Sequence, residues 1–475
     1  MPSQRTSSQG CGDARRALYQ AYQARIEVNT AISRALVSYQ SNRRRPYYRW
    51  FKYKEGFSAA LVEYLLGRFT LEPAAMLDPF AGSGAALFAS RDLGWQATGI
   101  ELLPVGVFAM QARLAAARVT HRTLRSAVEQ LEARLPGCDA DPALAFAHLP
   151  ITRGAFPDET ERDLTRYRTY LRDRIADPDI RLLLDAACLT VLEPVSYTRK
   201  DGQYLRWDER APRELPGGRT FNKGRIQSFS EAVRGQLNDM LEDMSEMELV
   251  SPSRSPQPDL SILQGSCLHL LPAMPAQSYD LVITSPPYCN RYDYTRTYAL
   301  ELAYLGIDVA ALKALRQGLL SCTVENRGKV DELRSQYAAS RNLALFERAM
   351  LAFERQQALQ EVLAVLDEKG RSGQLNNANV PRMVKNYFIE SAVVVFELGR
   401  VLRPGGRVIM INDNVQYAGD EVPVDLILCD LAAAAGFVTQ HIWALGRGKG
   451  NSSQQMGAHG RNELRKCAYV WRLQR

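Results

Sequence analysis

With 475 residues, 46% hydrophobic and 23% charged, the chain has the composition of a globular protein and enough length for a substantial core, organised as one large domain with insertions or as two to three domains. No apolar run approaches the roughly 18 residues of a membrane helix, and Met1 to Ala14 is polar without a hydrophobic signal core, so neither export nor membrane anchoring is expected and a cytoplasmic location is. A formal charge of +7 and a pI near 8.9 permit a polyanionic partner without requiring one.

Residues 14 to 40 carry apolar side chains at mostly helical spacing (Leu18, Tyr22, Ile26, Ile32, Leu36), which predicts a helical N-terminal arm over 1–45. The basic-aromatic run Arg43 to Lys54 follows, readable either as a backbone-binding arm or as a solvated strand with buried rings. From 46 to 118 the pattern alternates: helix 57–69, strand 75–78, helix 84–93, strand 96–101 and helix 105–117, the signature of βαβ units and a parallel sheet. The alternation returns in strands 260–264 and 281–284, helix 387–402, strand 407–411, helix 424–435 and strands 438–444 and 468–472.

Two long stretches interrupt this core, so its pieces are 46–118, 259–306 and 381–475. The first insertion, 119–258, starts helical and turns irregular over Val195 to Arg225, where eight Arg/Lys face four Asp/Glu and Tyr197, Tyr204, Trp207 and Phe221 are interspersed. The second, 307–380, reads as helical, strongest over 343–366, and ends in the polar linker 372–379. No internal repeat or low-complexity tract is visible.

Two loops carry the chemistry. Asp78-Pro79-Phe80-Ala81-Gly82-Ser83-Gly84 joins a strand to a helix, where glycines let the backbone approach a ligand and a helix N-terminus presents free amides. It lacks the Gly-Lys-Ser/Thr of a phosphate-gripping loop, and Glu101 ends the next strand about 20 residues on, the distance at which a carboxylate takes up ribose hydroxyls. The second loop, Thr284-Ser285-Pro286-Pro287-Tyr288, follows the apolar run 280–283. An exocyclic amine is a poor nucleophile because its lone pair is delocalised. Hydrogen-bond acceptors such as Ser285 Oγ and the Pro286 carbonyl, with Tyr288 as a stacking face, suit the activation of such an amine.

Other chemistries lack their residues. The eight cysteines are scattered without a Cys-x-x-Cys pair, which predicts a reduced chain without structural zinc. No Pro-Cys pair supplies a nucleophile for ring-carbon methylation, and Cys289 reads as a packing residue. The five histidines form no His-x-Glu or His-Glu-x-x-His arrangement, so no metal site is expected, and His459 reads as structural or substrate-contacting.

At Phe51 to Leu65, Asp78 to Glu101, Asp280 to Tyr288 and Leu402 to Arg407 the chain resembles the bacterial DNA amino-methyltransferases of restriction-modification systems, in particular the N4-cytosine group, over nearly half its length. The resemblance implies an α/β fold with a doubly wound, mostly parallel sheet of the class I S-adenosylmethionine-dependent methyltransferase type, bearing two large insertions. It implies S-adenosylmethionine as cofactor, double-stranded DNA as substrate, a base flipped out of the duplex, and a separate cognate restriction endonuclease. Phe57 and Ser58 would meet the methionine end of the cofactor. Asp78, Phe80, Gly82 and Gly84 would cradle it, Glu101 would bind ribose, and Ser285, Pro286, Pro287 and Tyr288 would form the catalytic pocket. The two loops stand roughly 200 residues apart, far more than a minimal βαβ progression needs. Target recognition is expected in Val195 to Arg225, with Arg199, Arg206, Trp207 and Arg225 as DNA contacts. Adenine N6 methylation, RNA amino-methylation and a catalytically silent DNA-binding subunit are the alternatives.

Overall fold

The computed structural model describes residues 12–69, 71–201, 204–213, 221–250, 257–446 and 464–474. Its described strands are β1 (Ile26–Val28), β2 (Ala75–Asp78), β3 (Gln96–Glu101), β4 (Thr198–Asp201), β5 (Tyr204–Trp207), β6 (Leu260–Gln264), β7 (Tyr279–Thr284), β8 (Leu402–Asp413), β9 (Val415–Tyr417), β10 (Asp420–Val422), β11 (Phe437–Ala444) and β12 (Lys466–Leu473). Eight of them form one sheet in the order β1-β11-β12-β8-β7-β2-β3-β6. Only β12 runs against its neighbours, antiparallel to both β11 and β8. The small hairpins β4–β5 and β9–β10 stand apart.

Both faces of the sheet's centre are covered, and there β7, β8 and β12 carry near-continuous buried apolar runs. In β7, Leu281 and Ile283 join the apolar cluster that holds Leu61, Val62, Leu65 and Phe88 of helices Ala59–Phe69 and Ala85–Asp92. Val282 between them joins the opposite cluster, built on helices Val380–Val401 and Val424–Ala434. Strands β8 and β12 divide in the same way: Ile409, Ile411, Ala468 and Val470 face one side, Val408, Met410, Tyr469 and Trp471 the other.

From β2 the chain steps outward through β3 to β6, then returns to the other side of β2 as β7. Strand order therefore reverses between β2 and β7, and in an open α/β sheet a crevice forms beyond the carboxyl ends of the strands at that reversal. The segment between β3 and β6 adds helices His121–Arg134, Asp158–Arg174, Pro178–Val191 and Phe229–Val250, which share a core around Leu183, Leu184, Leu237 and Met240. Trp50, Phe51, Tyr298 and Leu300 belong to that same core, so the insertion packs directly on segments flanking the crevice.

Three local expectations need correction. The helical spacing of 14–40 holds only for helix Asp13–Tyr22; β1 follows and pairs parallel with β11, Ile26 opposite Ile442. The basic-aromatic run 43–54 forms no strand: Tyr48, Trp50, Phe51 and Tyr53 are buried, Arg45 pairs with Glu63, and Arg49 pairs with Glu242 and Asp243. The helical stretch 343–366 is two helices, Leu343–Arg355 and Gln357–Arg371, parted at Gln356, whose backbone is extended and whose side chain accepts from the Leu359 amide at 2.7 Å.

A buried ion pair closes one side of the crevice. Glu390, in helix Val380–Val401, accepts from Lys329 Nζ at 2.8 Å and from the Ser321 amide at 2.8 Å, and Lys329 Nζ also donates to the Leu319 carbonyl at 3.0 Å. Removing one partner of such a pair leaves an uncompensated buried charge, which costs about 3–5 kcal/mol. Lys329→Met should lower unfolding stability by about that amount, and Lys329→Met with Glu390→Leu should recover most of it. Chemical denaturation of the two variants measures the difference; equal losses in both would show that the charge pair is not what holds this segment.

Candidate functional site

A cavity of about 810 Å³, counting its open mouth, lies beyond the carboxyl ends of β2, β3, β6 and β7. The loop after β2 forms one wall. Gly82 and Gly84 adopt left-handed backbone, φ 56° and 80°, and a Cβ on Gly84 would come within 2.8 Å of Met110 and 2.9 Å of Phe88. Glycine is the residue that takes this conformation without a side-chain clash. Gly106, at the start of helix Pro104–Ala116, packs so closely on the loop that a Cβ there would lie 2.4 Å from the Gly82 carbonyl oxygen.

Glu101, the last residue of β3, locks the loop. Its two carboxylate oxygens accept from the Gly82 amide at 2.6 Å and from the Leu103 amide at 2.7 Å. A carboxylate offers about four lone-pair positions, so acceptor capacity remains on a side chain that faces the cavity. Asp78 is buried behind the loop; its Oδ1 accepts from the Phe80 amide at 3.0 Å and from the Thr284 hydroxyl at 2.6 Å. That second bond joins the ends of β2 and β7 across the strand-order reversal. Burial pushes both carboxyls up to about 7, against the hydrogen bonds they accept.

The turn after β7 forms the facing wall through Ser285 and Pro287. Ser285 Oγ has the Ile411 carbonyl of β8 at 3.1 Å and the Tyr288 hydroxyl at 3.2 Å. A hydroxyl carries one proton and two lone pairs, so a proton committed to the carbonyl leaves oxygen lone pairs to accept. Tyr288 stands behind the wall, with its ring buried and the Lys466 ammonium 5.2 Å from the ring centre. Cys289 is fully buried with its thiol pushed well above the ordinary range, an environment for packing and not for a nucleophile.

Of the residues singled out by sequence, Phe57, Phe80, Gly82, Glu101, Ser285 and Pro287 therefore meet in one cavity. Ser58 does not: it is buried, donates to the Leu36 carbonyl at 2.8 Å and accepts from the Leu61 amide at 3.3 Å, at the start of helix Ala59–Phe69. Asp78, Gly84, Pro286 and Tyr288 support the walls without lining them. The cavity also recruits Tyr39, Asn42, Tyr53, Glu55, Leu320 and Tyr294. Tyr53 and Glu55 sit inside the Phe51–Ser58 stretch and could have been drawn from it; Tyr294 had no sequence signal.

The four residues expected to contact DNA lie away from this cavity. Arg199 and Arg206 are opposite each other on β4 and β5 and both are exposed. Arg206 stacks over Phe221 with 4.1 Å between guanidinium and ring centre, and Arg213 covers Trp207 at 3.9 Å. Arg225 donates to both oxygens of Glu231, at 3.0 and 2.7 Å. His459 lies outside the described residues. No helix of the described residues is long and apolar enough to cross a membrane.

The chain is 42% identical over 463 residues to the Type II methyltransferase M.AvaI of Nostoc sp. (strain PCC 7120), spanning 96% of this chain and 92% of that protein. The protein of the same name from Anabaena variabilis matches to the same extent. Type II methyltransferase M.BsoBI of Geobacillus stearothermophilus is 37% identical over 463 residues, with 94% and 89% spanned. No family model matches the chain.

The buried carboxyl of Asp78 gives a pH signature. Its folded-state pKa of about 7 lies above the unfolded value, so the folded protein holds the extra proton. The stability it contributes is complete below about pH 4 and is lost as pH rises through about 7. Asp78→Asn keeps an oxygen for the Phe80 and Thr284 bonds and removes the titration. Melting temperatures of the ligand-free proteins from pH 5 to pH 8 should show the variant gaining on the parent; a constant difference would mean that Asp78 is charged throughout.

Proposed function

This chain belongs to the Type II methyltransferase family, and we propose that it methylates the exocyclic N4 amine of cytosine in specific sequences of double-stranded DNA, using S-adenosylmethionine, in a restriction-modification system with a separate cognate endonuclease. The observation that carries the reading is the meeting of the Asp78–Gly84 loop and the Ser285–Tyr288 turn around one cavity at the strand-order reversal. Leaving aside β1 and the two hairpins, the sheet order numbered along the chain is 3-2-1-4-5-7-6 with the last strand antiparallel, which supports a class I methyltransferase architecture carrying insertions.

The cavity suits the cofactor in shape and chemistry. Phe80, Phe57 and Leu320 offer flat or apolar surface, and Glu101 keeps acceptor capacity for ribose hydroxyls. The glycine loop permits close backbone approach, and Gly106 keeps it in place. When bound, S-adenosylmethionine supplies an electrophilic methyl group on a sulfonium sulfur. Ser285 accepts from one amine N–H while its own proton is held by the Ile411 carbonyl, which favours a pyramidal nitrogen with an available lone pair. The Pro286 carbonyl accepts the second N–H. Tyr294, which lines the cavity as Tyr288 does not, presents its ring to the extruded base, and Tyr288 acts through its contact with Ser285.

Digestion of treated DNA to nucleosides should yield N4-methyl-2′-deoxycytidine, identified by its mass and by co-elution with that standard and not with 5-methyl-2′-deoxycytidine. An N6-methyl-2′-deoxyadenosine product would transfer the same chemistry to adenine, and no methylated nucleoside would overturn the reading. Tyr294→Ala should weaken productive DNA binding by about 1–3 kcal/mol. Ser285→Ala should slow single-turnover methyl transfer with cofactor affinity unchanged, because its hydrogen bond strengthens as charge develops on the amine. A full single-turnover rate in Ser285→Ala would remove the residue from catalysis.

A further inference from the structure

A second cleft, of about 1090 Å³ counting its mouth, lies beside the first cavity, and the two share the chain segment 50–57 as a wall. Trp50, Phe51 and Lys52 line the cleft, whereas Tyr53, Glu55, Gly56 and Phe57 line the cavity. The wall is aromatic: Phe51 and Tyr53 ring centres are 6.4 Å apart, and Tyr53 stacks on Tyr298 at 5.2 Å. Whatever occupies the cleft lies one layer of rings from the cavity.

The cleft is basic, lined by Arg49, Lys52, Arg199, Lys200 and Lys223 against the carboxylates Glu193 and Glu301. Three of those cations are committed within the protein. Arg49 pairs with Glu242 at 2.5 Å and Asp243 at 2.6 Å, the buried Lys200 pairs with Glu301, and Lys223 Nζ donates to the Glu193 and Ser196 carbonyls. Glu193 in turn accepts from the Lys200 amide at 3.1 Å. Lys52 and Arg199 remain: both are exposed, and neither pairs with a carboxylate among the described residues.

The fold does not need these charges where they stand. Arg199 is directly opposite Arg206 in the hairpin, so the two cations share one face of it. Burial lowers the proton affinity of Lys52; the Glu193 carboxylate opposes that shift, and the neighbouring Lys54, Lys200 and Arg43 add to it. A polyanion with regularly spaced charges would counter the cations gathered on this face.

We propose that this cleft holds the phosphate backbone of duplex DNA, with Lys52 and Arg199 as phosphate contacts, beside the aromatic wall that it shares with the cavity. The proposal rests on the reading of that cavity as the site for the extruded base. The buried Lys200–Glu301 pair anchors the strand that presents Arg199 to the helix Ala299–Tyr304, which fixes the cation relative to the wall. Phosphate contacts carry no sequence information, so these two residues set affinity and its salt dependence, and target choice is read elsewhere.

The test is a salt titration of binding to a random-sequence DNA duplex, by fluorescence anisotropy between about 50 and 200 mM salt, using the full-length protein. Lys52→Ala and Arg199→Ala should each weaken binding and each reduce the slope of log affinity against log salt by about 0.9, and the double variant by about twice that. Both side chains are exposed, so thermal melting should match the parent. Arg355→Ala, on an exposed helix position packed over the opposite sheet face, should leave affinity and slope unchanged. With the parent binding DNA, unchanged slopes in Lys52→Ala and Arg199→Ala would overturn the cleft assignment alone. Slope changes confined to an RNA duplex of the same sequence would overturn it too, in favour of RNA. Were the parent to bind no DNA at all, the reading of the cavity and of the cleft would both fall.

Discussion

The hydrogen bond from the Thr284 hydroxyl to Asp78 ties together two chain segments separated by the whole first insertion, and the cavity depends on it. Backbone pairing alone brings β2 and β7 side by side, Met76 against Leu281 and Leu77 against Val282. It does not determine how the loops beyond them leave the sheet. The side-chain bond falls at the point of departure: Asp78 also holds the Phe80 amide, and Ser285 follows Thr284 directly and reaches the Ile411 carbonyl of β8. Three strand ends are thus joined by short polar contacts in a buried setting, where a low dielectric strengthens each satisfied bond and makes any loss costly.

The insertions obey the same logic at larger scale. Each sends a lysine into a buried ion pair with the scaffold: Lys200 from β4 meets Glu301, and Lys329 meets Glu390. A buried ion pair is weak evidence of net stability, because desolvation of two charges offsets their attraction. What it imposes is position, since an alternative packing that separates the partners strands a charge in apolar surroundings. The first insertion's apolar core around Leu183 and Leu237 runs on into Leu103, Val105, Tyr298 and Leu300, so it already packs on the segments that flank the crevice. The two pairs add the cost of a stranded charge to any shift of that packing.

Much of the core was legible in the sequence because its signals are local. Strand 75–78, strand 96–101 and strand 260–264 lie between turn-forming residues and glycine loops, and the structure gives β2, β3 and β6 those bounds. Less was legible where two periods fit the same residues. Ile26, Ile32 and Leu36 satisfy a helical count, yet Ile26 is in β1, whose existence depends on the distant edge of β11. The break at Gln356 carries no proline or glycine to announce it; the residue ends one helix by an extended backbone and caps the next with its side chain. In the site, the motif residues were identifiable but not their direction. Ser58 follows Phe57 in the chain and turns into the core, while Tyr53, Glu55 and Tyr294 reach the cavity because loops distant in sequence converge there.

The electrostatics of the cavity explain why this convergence can be stable and still be ready for a ligand. Burial raises both Asp78 and Glu101, and the Asp78 charge adds a smaller upward push on Glu101. Two carboxyls pushed up to about 7 are poised between neutral and ionised at ordinary pH, so the pair need not hold two full charges against each other in a dry site. A bound cationic group reverses the balance: it favours ionisation of whichever carboxyl it approaches and is itself stabilised in return. Of the two carboxyls only Glu101 lines the cavity, so a ligand's charge meets that group, with Asp78 buried behind the loop.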